Sequence, residues 1–496
     1  MNLSLATLLQ LCILLPIFAT LGIVALRRHQ NLREAVSIGT SVLVFYAVVS
    51  IYLGLQGGAT IDVNWLQILP GLSLSFSVEP LGMIFSLIAS FLWFVTIVYA
   101  IGYMRGHNED HQTRFYCCFA IAIGSVMGVA FADNLFTLFI FYEILTLSTY
   151  PLVTHAGTEA AKKGGRVYLG ILLTTSIGFF LFAILGTWVI AGTLDFTQGG
   201  VFPAGANTAV LGFILVLFIF GIGKAAIMPF HRWLPAAMVA PTPVSALLHA
   251  VAVVKAGVFT VMKVCVLIFG IDLLSVLPTT QSLLYLAGAT VLLASVIAMR
   301  QDNLKARLAY STVGQLGYIT IGALVASSMG VVGGSMHIAM HAFGKITLFF
   351  CAGAILVAVH KSKVSQLDGL GRRMPITMTA FFIASLGIIG IPPAGGTWSK
   401  WYLLMGTMDT QQWIILVILL ISSLLNIAYL LPISMRAFLF KDPTSNAAVG
   451  IKEAPLPCLI AIGITTVGCI ALFIYPQPLY ELASSILQTS SIAHGQ

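Results

Sequence analysis

Long apolar stretches, separated by short polar segments, follow one another along nearly the whole chain. A transmembrane helix needs about 20 mainly apolar residues, and fourteen stretches reach or approach that length. They cover residues 3–26, 33–55, 78–104, 115–132, 134–153, 167–192, 208–230, 243–269, 281–299, 306–326, 331–359, 376–404, 412–440 and 455–475. The pattern predicts an all-α membrane protein with about fourteen transmembrane helices.

The composition excludes a water-soluble protein of this length. Of the 496 residues, 59% are hydrophobic and only 8% are charged, and the mean hydropathy is +1.00. Soluble domains carry about 25% charged residues, so this chain has too few charges to cover a hydrated surface. The lipid membrane is therefore the predicted environment.

The basic residues predict the orientation of the helices, because Lys and Arg are enriched in cytoplasmic loops. With the N-terminus outside, alternate loops hold 19 of the 24 basic residues. The loops on the opposite side, near Asp62, Asp133, Asp195, Asp272 and Asp409, hold none. We therefore expect a multi-pass protein of the bacterial cytoplasmic membrane, with the loops at 28–32, 156–165, 361–373 and 441–453 inside. The net charge of +8 is an orientation signal and does not indicate a nucleic-acid partner.

Nine ionisable residues lie inside the predicted helices. A charge at the bilayer centre costs about 2.5–3.5 kcal/mol, so six unpaired charges would cost on the order of 15–20 kcal/mol, more than the whole stability of a typical protein. These groups must be paired, hydrated or neutral, and a buried lysine can lose its proton. Lysines with histidines and one carboxylate among them indicate a proton relay. The nine are Glu143, Lys224, His249, Lys255, Lys263, His337, His341, Lys345 and Lys400.

Two of the lysines lie beside helix-breaking residues. Lys224 occurs in FGIGKAAIMPFHRWLP and Lys400 in GIPPAGGTWSKW. Both motifs predict helices broken within the membrane, where freed backbone groups can hold ions or water. The structural alternative for each is a lysine that extends its amino group to the membrane surface.

His337, His341 and Lys345 are spaced i, i+4, i+8 and share one helix face. We expect them to take part in the relay. The alternatives are hydrogen bonds between helices, or zinc binding by the two histidines, for which the sequence suggests no third ligand.

The remaining ionisable residues differ in how strongly the sequence supports a role in proton transfer. Lys255 is assigned to the relay, and His249, six residues earlier, is assigned together with His337 and Lys305 to a secondary proton path. Lys263, eight residues further along, either joins it or extends outward to the surface. Lys305 enters its helix from the inside, as a loop charge or as a residue that lines an entrance. Glu143 has no basic neighbour in sequence, so the alternative to a functional role is an ion pair with another helix.

No cofactor or metal is predicted. The seven cysteines form no CxxC or Cys/His cluster, so they are expected to be apolar fillers within helices. Any redox chemistry must therefore belong to a partner.

The spacing of the broken helices predicts an internal duplication. They are about 165–175 residues apart, and the helices that begin near 115 and 281 show a similar offset. An offset of five helices inverts the second copy. We therefore divide the chain into helices 1–3 (1–110), a first repeat (111–270), a second, inverted repeat (280–440), and a last helix with a short tail (455–496).

Four motifs resemble the antiporter-like family shared by Mrp-type cation/proton antiporters, respiratory complex I and membrane-bound hydrogenases. The resemblance spans about residues 78–440. It implies that Glu143 and Lys224 act as a coupled pair, that Lys255 and the His341–Lys345 helix continue the axis, and that Lys400 ends it. The motifs are FYEILTLSTYPLVTH (141–155), GKAAIMPFHRWLPAAMVAPTPVSALLHAVAVVKAG (223–257), DNLKARLAYSTVGQLGY (302–318) and HAFGKITLFFCAGAI (341–355).

Within that family, the chain is most similar to the D subunits of Mrp antiporters, through TYPLVTH, the lysine of VVKAG and Lys400. The resemblance implies a proton-translocating subunit of a monovalent cation/proton antiporter, a transporter and not an enzyme, with other hydrophobic subunits as partners. Because the chain has no clustered carboxylates, the sodium path is expected in a partner. Two alternatives stay open: a proton-pumping subunit of a redox complex, and a scaffold subunit whose lysines only form ion pairs.

Overall fold

The computed structural model describes residues 3–441 and 450–487, and it is almost entirely helical. The predicted loop at 441–453 and the tail that follows the last helix therefore lie partly outside the described residues. The helices are α1 (Leu5–Ala25), α2 (Gln30–Gln56), α3 (Pro80–Gly106), α4 (Gln112–Ala130), α5 (Leu135–Val153), α6 (Glu159–Ala191), α7 (Thr208–Gly221), α8 (Thr242–Phe269), α9 (Ile271–Val276), α10 (Pro278–Arg300), α11 (Leu304–Leu324), α12 (Ser328–Val359), α13 (Pro375–Ile389), α14 (Gly396–Asp409), α15 (Trp413–Leu439), α16 (Leu456–Ile474) and α17 (Gln477–Ser485).

Each of the fourteen predicted stretches corresponds to a helix or to a pair of half-helices. Within the described residues, eleven helices are long and apolar enough to cross a membrane. Helices α7 and α13 are apolar but shorter than a full span, and α11 has 21 residues that include basic side chains near its start. The membrane-spanning helical fold is confirmed, whereas the number fourteen and the division into repeats stay predictions.

Helix α8 forms the centre of the molecule. Every residue from 242 to 269 is buried, although the segment contains His249, Lys255 and Lys263. Helices α3 and α12 are also mostly buried, whereas α1, α6, α15 and α16 bury only about a third of their most apolar windows. Since apolar side chains are stable in lipid, the outer helices can expose theirs, and the ionisable groups lie inside the bundle.

The two predicted helix breaks are present. Helix α7 ends at Gly221, and Lys224 lies in the short turn Gly223–Ala225 that follows it. Helix α8 can approach this turn because residue 257 is a glycine: a Cβ there would lie 2.3 Å from the carbonyl carbon of Lys224. The close backbone contact positions the break against the centre of the bundle.

The second break separates α13 from α14. Gly390 ends α13 with a φ of +90°, a conformation that L side chains rarely adopt. Helix α14 begins at Gly396 and carries Lys400 in its second turn. The lysine therefore points back towards the carboxyl end of α13, where unpaired carbonyl groups are available.

A third irregularity was not predicted. Helix α8 contains a π-helical segment at Leu247–Val251, which includes His249 and ends at Ala252 with φ −111° and ψ −80°. Such segments occur frequently at functional sites. The stretch LLHAVA contains no proline or glycine, so the pattern carried no signal for it.

A two-stranded antiparallel hairpin departs from the all-α prediction. Strand β1 (Asp62–Leu69) pairs with β2 (Leu72–Ser77) across a Pro-Gly turn in which Gly71 has φ +80°. Proline followed by a residue with positive φ is typical of a type II turn. The hydropathy pattern missed the hairpin because it is shorter than a span and lies between α2 and α3.

Several of the loops that carry basic residues contact one another in pairs. Arg105 forms an ion pair with Glu34, and Arg114 donates a hydrogen bond to the carbonyl of His155. Further along the chain, Ser365 donates two hydrogen bonds to Asp302. These contacts agree with the predicted grouping of the basic loops.

Candidate functional site

Lys224 is fully buried and held by helix α5. Its amino group donates hydrogen bonds to the carbonyl oxygen of Tyr142 at 2.9 Å and to Thr146 Oγ1 at 2.6 Å. It also lies 3.1 Å from the centre of the Tyr142 ring. The partners are a carbonyl, a hydroxyl and an aromatic face, so the amine is solvated by the protein without a formal counter-charge in contact.

Glu143 does not contact Lys224 directly. Among the described residues, neither of its carboxylate oxygens has a hydrogen-bond partner, although both are shielded from solvent. It is nevertheless adjacent in sequence to Tyr142, which holds the amine. The two residues are brought into one region, whereas the coupled pair that the family resemblance implies stays a prediction.

Lys255 and His341 are in direct contact. Lys255 Nζ and His341 Nδ1 share a hydrogen bond of 2.5 Å between α8 and α12, and both residues are buried. The second ring nitrogen of His341, Nε2, has no partner among the described residues. A base with one occupied and one free nitrogen can accept a proton on one side and release it on the other.

His337 continues the path from His341. The two rings lie 5.8 Å apart between centroids. His337 Nδ1 is 2.8 Å from Ser399 Oγ, and its Nε2 is 3.0 Å from Gln315 Oε1. These hydrogen bonds occupy both nitrogens of His337, so the histidine pair does not present two free ligand nitrogens for zinc.

Lys400 lies at the far end of this path, next to Ser399 in sequence. Its amino group donates to the carbonyl of Ile389 at 3.0 Å and to Ser423 Oγ at 3.1 Å, and lies 4.6 Å from the centre of the Tyr318 ring. The Tyr318 ring in turn stacks on His337 at 5.7 Å. The contacts from Lys255 through the two histidines to Lys400 are therefore continuous.

Lys345 leaves this path as a branch. It donates hydrogen bonds to Ser311 Oγ at 2.5 Å and to the Leu308 carbonyl at 3.4 Å. Tyr429 donates to the same serine oxygen at 2.8 Å, and its hydroxyl is 2.5 Å from Asn426 Oδ1. The three residues share one helix face but belong to two separate hydrogen-bonded groups. The two histidines are in one group, and Lys345 is in the other.

His249 and Lys305, two of the three residues assigned to the secondary path, differ in their contacts. Neither nitrogen of His249 has a partner among the described residues, and its ring packs 4.6 Å from Phe349. Lys305 donates to the Ala240 carbonyl at 2.6 Å, two residues before α8 begins. Lys305 is thus attached to the N-terminal end of the central helix, and its place at an entrance stays a prediction.

One of the two interpretations of Lys263 required its side chain to extend outward to the surface. The structure does not show this. Its side chain is buried, and its amino group lies 3.1 Å from Glu79 Oε2. The pairing was not predicted because Glu79 immediately precedes α3 and lies 184 residues away in sequence.

Hydroxyl and amide groups that the sequence pattern did not reveal connect the ionisable residues. Of these, Ser399 is adjacent to Lys400 and could have been found by proximity. Gln315, which lies near the position equivalent to Glu143 in the predicted second repeat, is a direct partner of His337. The missed groups are Tyr142, Thr146, Ser311, Gln315, Tyr318, Ser399, Ser423 and Tyr429.

Two protein-family models match parts of this chain. Residues 132–426 match the family described as NADH:quinone oxidoreductase/Mrp antiporter, transmembrane. The chain belongs to this family. Residues 65–116 also match the N-terminal family of complex I chain 5, so both models together cover most of the hairpin, the two broken helices and Lys400.

Curated relatives come from both branches of the family. NADH-quinone oxidoreductase subunit N of Desulforudis audaxviator is 31% identical over 433 residues, which are 84% of this chain and 85% of that protein. A Rhizobium meliloti protein described as a probable K⁺/H⁺ antiporter component, type A/B, is 33% identical over 408 residues, 79% of this chain but 39% of that protein. A third relative is NAD(P)H-quinone oxidoreductase chain 5 of Picosynechococcus. It is 32% identical, and the match spans 66% of the present chain but only 50% of that protein.

Solved structures show the same fold. A chain of the Mrp complex from Dietzia sp. DQ12-45-1b superimposes with a TM-score of 0.86 at 22% identity, over 98% of this chain and 97% of that one. A chain of an archaeal membrane-bound sulfane sulfur reductase gives 0.85 at 22% identity, over 97% of both chains. At this level of identity the likeness shows that the chain has the fold of these membrane subunits.

Proposed function

We propose that the chain is the proton-translocating subunit of a multisubunit monovalent cation/proton antiporter of the Mrp type, corresponding to its D subunit. Protons move along Lys224, Lys255, His341, His337 and Lys400, with Glu143 modulating the charge of Lys224. The exchange uses the proton-motive force across a bacterial cytoplasmic membrane, with the N-terminus outside.

The observation that carries the proposal is the contact path from Lys255 to Lys400. It joins two amines through two imidazoles and the ring of Tyr318, all buried in an otherwise apolar interior. Groups of this kind are expensive inside a membrane protein and are typical of proton relays. We place the sodium or potassium path in a partner subunit, since the relay residues are mostly basic.

The experiment measures cation-dependent collapse of a pH gradient in everted vesicles that contain the intact complex. Lys255→Met is expected to abolish exchange after addition of Na⁺ or K⁺, with normal assembly. A fully active Lys255→Met complex would contradict the relay. A scaffold role predicts the opposite order, because loss of charge would then affect assembly before activity.

A second candidate is a proton-pumping subunit of a redox complex. It is favoured by the coverage of the Desulforudis relative, which is matched over most of both chains. Purification of the complex separates the two candidates. Small hydrophobic subunits support the antiporter, whereas co-purified iron–sulfur and dehydrogenase subunits support the redox complex.

A further inference from the structure

A buried ion pair lies outside the path from Lys224 to Lys400. Lys263 Nζ is 3.1 Å from Glu79 Oε2, donates to the Ala132 carbonyl at 2.6 Å, and lies 4.1 Å from the centre of the Phe196 ring. The Lys263 side chain has no solvent exposure, whereas that of Glu79 is 21% exposed. The Oε2 atom that faces Lys263 is itself shielded from solvent, so the pair is buried and the exposed part of Glu79 lies away from the lysine.

A cavity lined by three carboxylates lies next to the segment whose carbonyl holds Lys263. The cavity has a volume of about 450 Å³. It is lined by residues of the hairpin, which include Asp62, and by Asp133 and Asp195. Asp133 directly follows Ala132, whose carbonyl holds Lys263, and it accepts a hydrogen bond from Ser75 at 3.0 Å. This acidic cavity lies in the loops that the distribution of basic residues predicts to be external.

Two phenylalanines separate the ion pair from the relay. Lys255, Phe259 and Lys263 are spaced i, i+4, i+8 on α8 and share a face, which places the two lysine Cα atoms about 12 Å apart. Phe259 lies between them, with its ring 5.8 Å from Lys263 Nζ and 5.0 Å from the ring of Phe85. Both rings are fully buried, and Phe85 lies on the first turns of the helix that Glu79 precedes.

We propose that Lys263 and Glu79 form a second proton-release site, which connects Lys255 to the acidic cavity and is closed in this structure by Phe259 and Phe85. The inference rests on the proposed function and adds a branch to the path that ends at Lys400. Displacement of the Phe259 ring opens the space between the two lysines to water.

Every proton that enters this branch is also released from it. The Lys263 ammonium transfers a proton to the Glu79 carboxylate, which leaves a neutral amine beside a carboxylic acid. Glu79 then releases that proton to water in the acidic cavity and becomes a carboxylate again. The neutral Lys263 amine accepts the next proton from the Lys255 ammonium through the intervening water, which restores the ion pair. One proton enters from Lys255 for each proton released.

The first test removes both charges together. Lys263→Met alone would leave Glu79 unpaired, whereas Glu79→Gln with Lys263→Met leaves no buried charge and should assemble, because apolar replacement of a buried ion pair is often tolerated. We expect this double variant to assemble normally but to lose proton-coupled exchange on the order of 100-fold. Wild-type exchange by the assembled double variant would overturn the proposal.

The second test opens the aromatic closure. Phe259→Ala should admit water between the lysines, so vesicles should lose a pH gradient without added Na⁺ or K⁺. Phe115→Ala is the matched control, since Phe115 is equally buried but packs against Tyr116 and Phe119. If Phe259→Ala fails to assemble, Phe259→Leu replaces it, and an equal absence of leak in the Phe259 variant and in the control would overturn the closure.

Lys224→Met, measured in parallel, separates this proposal from the proposed function. If Lys224→Met exchanges at the wild-type rate, the proposed function itself fails. If Lys224→Met is inactive while the double variant behaves as wild type, the main path stands and only the branch through Lys263 and Glu79 is refuted. Loss of exchange in both, together with a cation-independent leak in Phe259→Ala, supports the branch.

Discussion

Substitution of Lys400 distinguishes a proton carrier from a fixed charge. Lys400→Met removes the donor of two hydrogen bonds, to the Ile389 carbonyl and to Ser423 Oγ, each worth about 1.5–3 kcal/mol for a charged donor. The same change removes a buried ammonium whose desolvation costs several kcal/mol. We expect the two effects on stability to offset to within about 2 kcal/mol, so the complex should still assemble.

Transport should respond much more strongly than stability. Loss of a proton-transfer group reduces the rate on the order of 100-fold, which corresponds to about 3 kcal/mol on the barrier. Lys400→Arg keeps the positive charge, but a guanidinium does not release its proton. The arginine variant should therefore be almost as inactive as Lys400→Met.

The assay is cation-dependent proton exchange in everted vesicles, normalised to the amount of assembled complex. Lys162→Met is the control, because Lys162 is half exposed and pairs with the exposed Glu159. If Lys400→Arg exchanges near the wild-type rate while Lys400→Met is inactive, Lys400 acts as a fixed counter-charge. If both variants are active, the reasoning that places Lys400 on the path is refuted.

Three further predictions test other parts of the molecule. Glu143→Ala should abolish exchange without loss of assembly, measured by the same vesicle assay and by co-purification of the partner subunits; wild-type exchange would remove Glu143 from the mechanism. His341→Ala should interrupt the path at Lys255 and slow exchange on the order of 100-fold, whereas His249→Ala, which breaks no hydrogen bond among the described residues, should slow exchange less. Single cysteines in the loop at 156–165 should resist an impermeant maleimide in intact cells and react in everted vesicles, and the reverse pattern would invert the topology.

Properties that depend on local sequence could be predicted without a structure. Span length, loop charge and the position of helix breaks are set by residues within one segment, so the membrane-spanning helices and the breaks beside Lys224 and Lys400 followed from the pattern. Eight of the nine ionisable residues assigned to helices are buried, because the cost of a charge in lipid does not depend on which helix is its neighbour; the buried Arg33, Glu34 and His155 were not in the predicted set.

The partners of those residues were decided only by the tertiary structure. Each residue along a helix rotates the side-chain direction by about 100°, so small differences in helix rotation and offset determine which groups meet. For this reason Lys224 contacts Tyr142 and Thr146 instead of Glu143, and Lys263 pairs with Glu79 from a distant segment. The π-helical segment at His249 depends in the same way on packing between helices, which no single stretch of sequence encodes.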